Sequence, residues 1–136
     1  MRVIFDTNIL ISALINPAGR CGNLYGAWRS SPAELFTCEE QLTELRRVSR
    51  YPAVRRYVLP AQAGTLINEL RTKALFVVRL PKVDFPPDPN DAYLLSLSIA
   101  GHVEYLVTGD RSHLLSLGRF GTTQIVTADQ MLEILS

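Results

Sequence analysis

Arg2-Val3-Ile4-Phe5-Asp6-Thr7-Asn8 is the stretch on which the fold turns. Val3, Ile4 and Phe5 form a compact apolar run of the β-branched and aromatic kinds that suit a buried strand. Ile9, Leu10, Ala13 and Leu14 then recur at helical spacing, so a strand hands over to a helix across one short polar turn. Asn16-Pro17-Ala18-Gly19 ends that helix. The alternation continues along the chain. Gly22 to Arg29 reads as a helix closed by Ser30-Ser31-Pro32, and Ala33 to Thr37 as a second strand. Glu39 to Arg50 is amphipathic, with Leu42, Leu45 and Val48 three apart. Pro60, suited to a first helical turn, opens a helix to Ala74, and Phe76 to Leu80 is a third strand. A proline-rich connection, Pro81 to Pro89, reads as an ordered loop rather than a linker. Asp88-Pro89-Asn90-Asp91 opens the next helix, which Gly101 closes. Glu104 to Val107 is a fourth strand, Arg111 to Leu117 a short helix, Gln124 to Val126 a fifth strand and Ala128 to Leu135 a last helix. Strand alternating with helix predicts an α/β fold, with a central parallel sheet of four to five strands covered by helices on both faces.

The 136 residues suit a single domain, and 47% hydrophobic content is too high for a disordered chain. No apolar run approaches the roughly 20 residues of a membrane-spanning helix. Asp6 follows the first apolar run too soon for a secretory leader. Cys21 and Cys38, with only His102 and His113 beside them, make neither a disulfide scaffold nor a zinc site. A reducing cytoplasm is the expected compartment. The net charge of +1 hides a division: residues 41–82 carry nine bases against Glu44 and Glu69, or +7, and the remainder is −6. One region can attract an anion while another holds cations, although two solvated arginine-rich helices would give the same count.

In open parallel sheets, ligands bind beyond the carboxyl ends of the strands, where the strand order reverses. Asp6 ends the first strand and Asp110 the fourth, in Val107-Thr108-Gly109-Asp110. Asp91 falls in the first turn of a helix that starts at the same edge, and Glu44 at the boundary of the Leu42-Leu45-Val48 stripe. Each acid also has a plainer explanation. Asp6 and Asp110 suit N-caps, Asp88 and Asp91 a capping box, and Glu44 an ion pair with Arg47 one turn on. Capping alone does not account for acids at the ends of two strands that would flank the switch point. Four converging carboxylates call for protonation or a cation, and all-oxygen ligands favour Mg²⁺ or Mn²⁺ over zinc.

Asp6-Thr7-Asn8, Thr43-Glu44-Leu45, Asp88-Pro89-Asn90-Asp91 and Val107-Thr108-Gly109-Asp110, in that order, resemble the four acidic motifs of PIN-domain nucleases. The resemblance covers essentially the whole chain. It is closest to the compact prokaryotic toxins of toxin–antitoxin pairs, the VapC-like group. It implies strand order 3-2-1-4-5 and a Mg²⁺-dependent endoribonuclease acting on single-stranded or structured RNA. By carry-over, Asp6, Glu44, Asp91 and Asp110 are catalytic. Many relatives place a further acid just after the fourth motif, where this chain has Arg111-Ser112-His113, so the resemblance implies a second metal less strongly. It further implies a small antitoxin that blocks the cleft and a homodimer through early helices, which singles out Leu24, Tyr25 and Trp28.

On this reading Asp6, Asp91 and Asp110 hold the metal directly or through water, and Glu44 orients or deprotonates the nucleophile. Thr7, Asn8, Thr108 and Ser112 support the carboxylates, Asn8 chiefly by bonding local backbone. Arg46, Arg47, Arg50, Arg55 and Arg56 bind RNA phosphates, with Tyr51 and Tyr57 among them to stack bases unless helix packing claims one of the two. His102 and His113 belong to no recognisable constellation, and surface or helix-end roles suit them better. Two other readings stand beside the nuclease. One is a catalytically inert PIN-like module that binds RNA or protein. The other, a phosphoacceptor domain built on Asp6, lacks a Gly-rich phosphate loop and a lysine near the last strands.

Overall fold

The structure, a computed structural model, describes residues 1–82 and 89–136; the side chains of 89–91 lie outside that description. Residues 83–88 of the proline-rich connection, Asp88 among them, and the side chain of Asp91 therefore fall outside the described residues. The elements are β1 (Arg2–Phe5), α1 (Thr7–Ile15), α2 (Arg20–Arg29), β2 (Glu34–Cys38), α3 (Glu39–Ser49), α4 (Pro52–Arg55), α5 (Pro60–Lys73) and β3 (Leu75–Val77). They continue with α6 (Pro89–Ala100), β4 (Tyr105–Val107), α7 (Leu114–Leu117), β5 (Arg119–Phe120), β6 (Thr123–Val126) and α8 (Ala128–Leu135).

The sheet runs β3-β2-β1-β4-β6-β5, parallel throughout except for β5, which pairs antiparallel with β6. Among the described residues this corrects the expected four to five strands to six. The added strand is a two-residue edge piece returning through Gly121, whose φ of 59° suits a residue without a Cβ. The expected fifth strand is β6, beside β4 as anticipated. Helix α4 was also not foreseen, and the short helix expected from Arg111 is confined to Leu114–Leu117.

Alternation within β1 divides the interior. Val3 and Phe5 pack with Leu10, Leu24, Trp28, Leu42, Leu45, Leu70 and Met131, from α1, α2, α3, α5 and α8. Ile4 faces the opposite way, into Phe36, Leu94, Leu95, Leu97, Leu106 and Leu114, beneath α6 and α7. Helix α6 ends at Ala100; the next position requires glycine because a Cβ there would stand 2.8 Å from the Phe36 ring, and His102 follows at φ 49°. Leu24 and Trp28 are buried in the core around Val3 and Phe5, and the Tyr25 hydroxyl donates to Glu69 on α5 at 2.6 Å. The three residues singled out for a dimer interface thus pack within the subunit.

One buried polar pair fixes α3 against the sheet. Gln41, 1% exposed, donates through Nε2 to the Phe5 carbonyl at 2.7 Å and accepts from the Thr37 hydroxyl at 2.7 Å. The end of β1 is thereby satisfied by a helix side chain where β2 no longer supplies a partner. Gln41 lies three residues before Glu44, so the same contact sets the height of Glu44 over the strand ends. Replacing Gln41 with Leu strands a buried carbonyl and a buried hydroxyl. Denaturant unfolding is expected to show a loss of roughly 2–6 kcal/mol, taking about 1–3 kcal/mol for each of the two orphaned groups; a loss below about 0.5 kcal/mol contradicts this account.

Candidate active site

Asp6 follows β1 directly, its amide donating to the Val107 carbonyl at 2.9 Å, so β1 and β4 deliver their ends side by side. It occupies the N-cap position of α1, yet its carboxylate makes no capping hydrogen bond. Oδ2 instead accepts from the Thr108 hydroxyl at 2.7 Å, and that same oxygen of Thr108 accepts from the Asp110 amide at 3.0 Å. Thr108 is fully buried and Asp6 is 7% exposed. Burial pushes the Asp6 carboxyl above its ordinary value; Thr108 opposes the rise and the charge of Glu44 adds to it. No base forms an ion pair with Asp6 among the described residues.

Glu44 reaches this place from the middle of α3. Its Oε1 accepts from the hydroxyls of Thr7 and Tyr93, which stand 2.9 Å apart, and Oε2 lies 3.7 Å from Arg47. Both interactions considered for Glu44 therefore occur together: the helix-surface pair with Arg47 and the turn toward the sheet edge. Tyr93, on the second turn of α6, is held protonated by burial and by its bond to Glu44. It was not anticipated from the sequence. Thr7 was, and it holds Glu44 rather than Asp6.

Asp110 behaves differently. Its Oδ1 accepts from the amides of Ser112 and His113 at 3.2 Å each, and Oδ2 lies 3.5 Å from His113 Nδ1. Asp110 thus bonds its own following amides in the manner of a cap, although α7 begins only at Leu114 with His113 at its N-cap. Ser112 contributes its amide to Asp110, and the Asn8 side chain is exposed with no hydrogen bond among the described residues, so the expected local backbone bond of Asn8 is absent. Asp91 lies in the first turn of α6 with its side chain outside the described residues. The structure accordingly brings Asp6 and Glu44 into mutual electrostatic reach and Asp110 to within two hydrogen bonds of Asp6. Among the described residues, no three His, Cys, Asp or Glu side chains are gathered closely enough to hold a metal. Cys38, whose thiol burial pushes up to about 12, and the half-buried Cys21 stay protonated at neutral pH.

The arginines divide as well. Arg46 pairs with Glu39 at 3.5 Å and Arg47 with Glu44, whereas Arg50, Arg55 and Arg56 form no ion pair among the described residues. Arg46, Arg50 and Arg55 line a groove of about 310 Å³ between α3, α4 and α5, together with Ser49 of α3 and Asn68 of α5. Tyr51 and Tyr57 are 45% and 63% exposed, so helix packing claims neither ring.

The sequence matches the PIN domain family over residues 2–112, which takes in β1, α3, α6 and the end of β4. No curated protein matches the chain in sequence. Among solved structures, a chain of the VapBC2 complex from Rickettsia felis, bound to a DNA fragment from its promoter, superposes with a TM-score of 0.61 at 14% identity. The match covers 93% of this chain and 98% of that one. Likeness at that level of identity establishes a shared fold and no more. With the family match spanning all four acidic motifs, the chain belongs to the PIN domain family.

Proposed function

We propose that this PIN domain is a metal-dependent endoribonuclease and the toxin of a toxin–antitoxin pair. The observation that carries the reading is Asp6. A carboxylate 7% exposed, raised by burial and by a second acid, with no basic partner among the described residues, suits a cation in an all-oxygen setting. Asp6, Asp91 and Asp110 would hold it. When bound, Mg²⁺ or Mn²⁺ acidifies a water and shields charge on the attacked phosphate. The chain's own groups do the remaining work. Thr108 keeps Asp6 aimed at the strand ends, and Thr7 with Tyr93 fixes Oε1 of Glu44. Oε2 of Glu44 is left to accept a proton from the attacking water, with Arg47 beside it. Arg50, Arg55 and Arg56, free of ion pairs among the described residues, are available to RNA phosphates along the groove, and Tyr51 and Tyr57 to unpaired bases. The fold shared with a VapBC2 chain supports an antitoxin partner that covers the acidic edge. A homodimer would have to use surfaces other than Leu24 and Trp28. The cytoplasm is the proposed compartment; no helix among the described residues is long and apolar enough to cross a membrane.

An inert PIN-like module is the second reading. It is favoured by the Asp110 carboxylate, which is turned onto its own following amides. Cleavage separates the two.

Incubated with a mixed RNA pool, the wild-type chain is expected to cut in Mg²⁺ and to stop on chelation, and Asp6→Asn to lose at least about 100-fold, the scale of one lost electrostatic catalytic group. Wild-type cutting by Asp6→Asn, or cutting that survives EDTA, overturns the assignment.

The raised Asp6 carboxyl gives a sign to metal-free stability. Its favourable contribution is fully present below its ordinary value of 3.8 and is lost as pH rises through the higher folded value. Asp6→Asn should therefore melt above wild type at neutral pH without metal, with the gap closing toward pH 4. Equal melting temperatures at neutral pH contradict the buried-charge account.

RNA affinity should fall steeply with salt. Replacing Arg50 and Arg55 with alanine should reduce the log–log salt slope by about 1.4, at roughly 0.7 per phosphate contact on single strands; an unchanged slope places the RNA elsewhere.

A further inference from the structure

We infer that a second cleft, between α1 and α8, takes one nucleobase and the adjoining phosphate of the strand being cut, and so selects the base beside the cleavage point. The inference rests on the nuclease reading and deepens it. The cleft encloses about 220 Å³. That is below the roughly 300–1,000 Å³ of drug-sized ligand sites and suits a single nucleotide unit rather than a run of them. It opens beside the acids, because Thr108, whose hydroxyl holds Asp6, and Asn8, two residues beyond Asp6, both line it.

Its lining matches the parts of a nucleotide. Ile9, Leu115 and Ala128 give an apolar surface for a base face. Asn8 and Ser12, one helical turn apart on exposed positions of α1, present donors and acceptors to a base edge. Two arginines reach the cleft. Arg20 is already neutralised by Asp129 at 2.5 Å, whereas Arg111 forms no ion pair among the described residues. Arg111 immediately follows Asp110, which places a cation for the adjoining phosphate at the edge of the acidic centre. Gly109 adds no side chain to the wall. The other groove, lined by Arg46, Arg50 and Arg55, gathers three cations and suits the strand's phosphates.

The test uses the full chain, ¹⁵N-labelled and free of metal, titrated with AMP, CMP, GMP and UMP and with short RNAs carrying each base. One base is expected to shift the amides of Gly109, Arg111 and Ala128 more than the other three. Ser12→Leu, which fills the cleft from an exposed helix position, and Arg111→Ala should each weaken that binding about tenfold, the scale of one lost contact. Asp6→Asn should bind as wild type does while losing cleavage, so failure of the subsite and failure of the nuclease reading are seen separately. The inference falls if no nucleotide or RNA shifts those amides, if all four bases shift them equally, or if Ser12→Leu leaves the shifts unchanged. Tighter binding of a mononucleotide than of RNA carrying the same base would make this a site for a free nucleotide and would also overturn it.

Discussion

A carboxylate buried at the end of a central strand is expensive unless something answers its charge. Asp6 is such a group, and much of the surrounding structure is arranged about it. Thr108 answers one oxygen, the Val107 carbonyl fixes the backbone, and Gln41 satisfies the last carbonyl of β1 from α3. These contacts tie β4 with its following residue, and α3, to the same strand end. The tolerance for Glu44 beside Asp6 is the informative part, since a fold selected for stability alone has no reason to place a second acid there.

The charges are also divided in space. Asp6 and Asp110 follow the ends of β1 and β4, and the basic segment forms much of α3 with α4 and α5. Some of its arginines serve the fold: Arg71 and Arg46 meet on Glu39, and Arg47 lies against Glu44. Exposed pairs of this sort contribute little to stability. Their effect is to distinguish neutralised cations from those still available, and the available ones, Arg50, Arg55 and Arg56, lie toward the end of α3 and in α4.

Much of the architecture was legible in the sequence, for physical reasons that differ by element. β1 and α3 announce themselves because period and burial agree: Val3, Ile4 and Phe5 are all buried, as are Leu42 and Leu45. α4 and β5, with four and two residues, are too short to establish any period, and their turns depend on tertiary support. Asp6 and Thr108 could be placed at the site by position relative to strand ends, and Glu44 by its place at the edge of the Leu42-Leu45-Val48 stripe. Gln41 and Tyr93 could not. Gln41 is a polar residue on the buried face of an amphipathic helix, and only the orphaned carbonyl of Phe5 explains it. Tyr93 reads as one more apolar position before Leu94 and Leu95 until its hydroxyl is seen against Glu44. The Asp110 side chain shows the opposite case, where the local capping rule describes the geometry better than the functional one.

Diffraction from crystals soaked in Mn²⁺, recorded at the manganese absorption edge, tests the central claim most directly. An anomalous peak bonded to the Asp6 carboxylate, with Asp91 or Asp110 completing its oxygen ligands, is the predicted result. Saturating Mn²⁺ with no density at Asp6, or density bound only at distant surface acids, would contradict it.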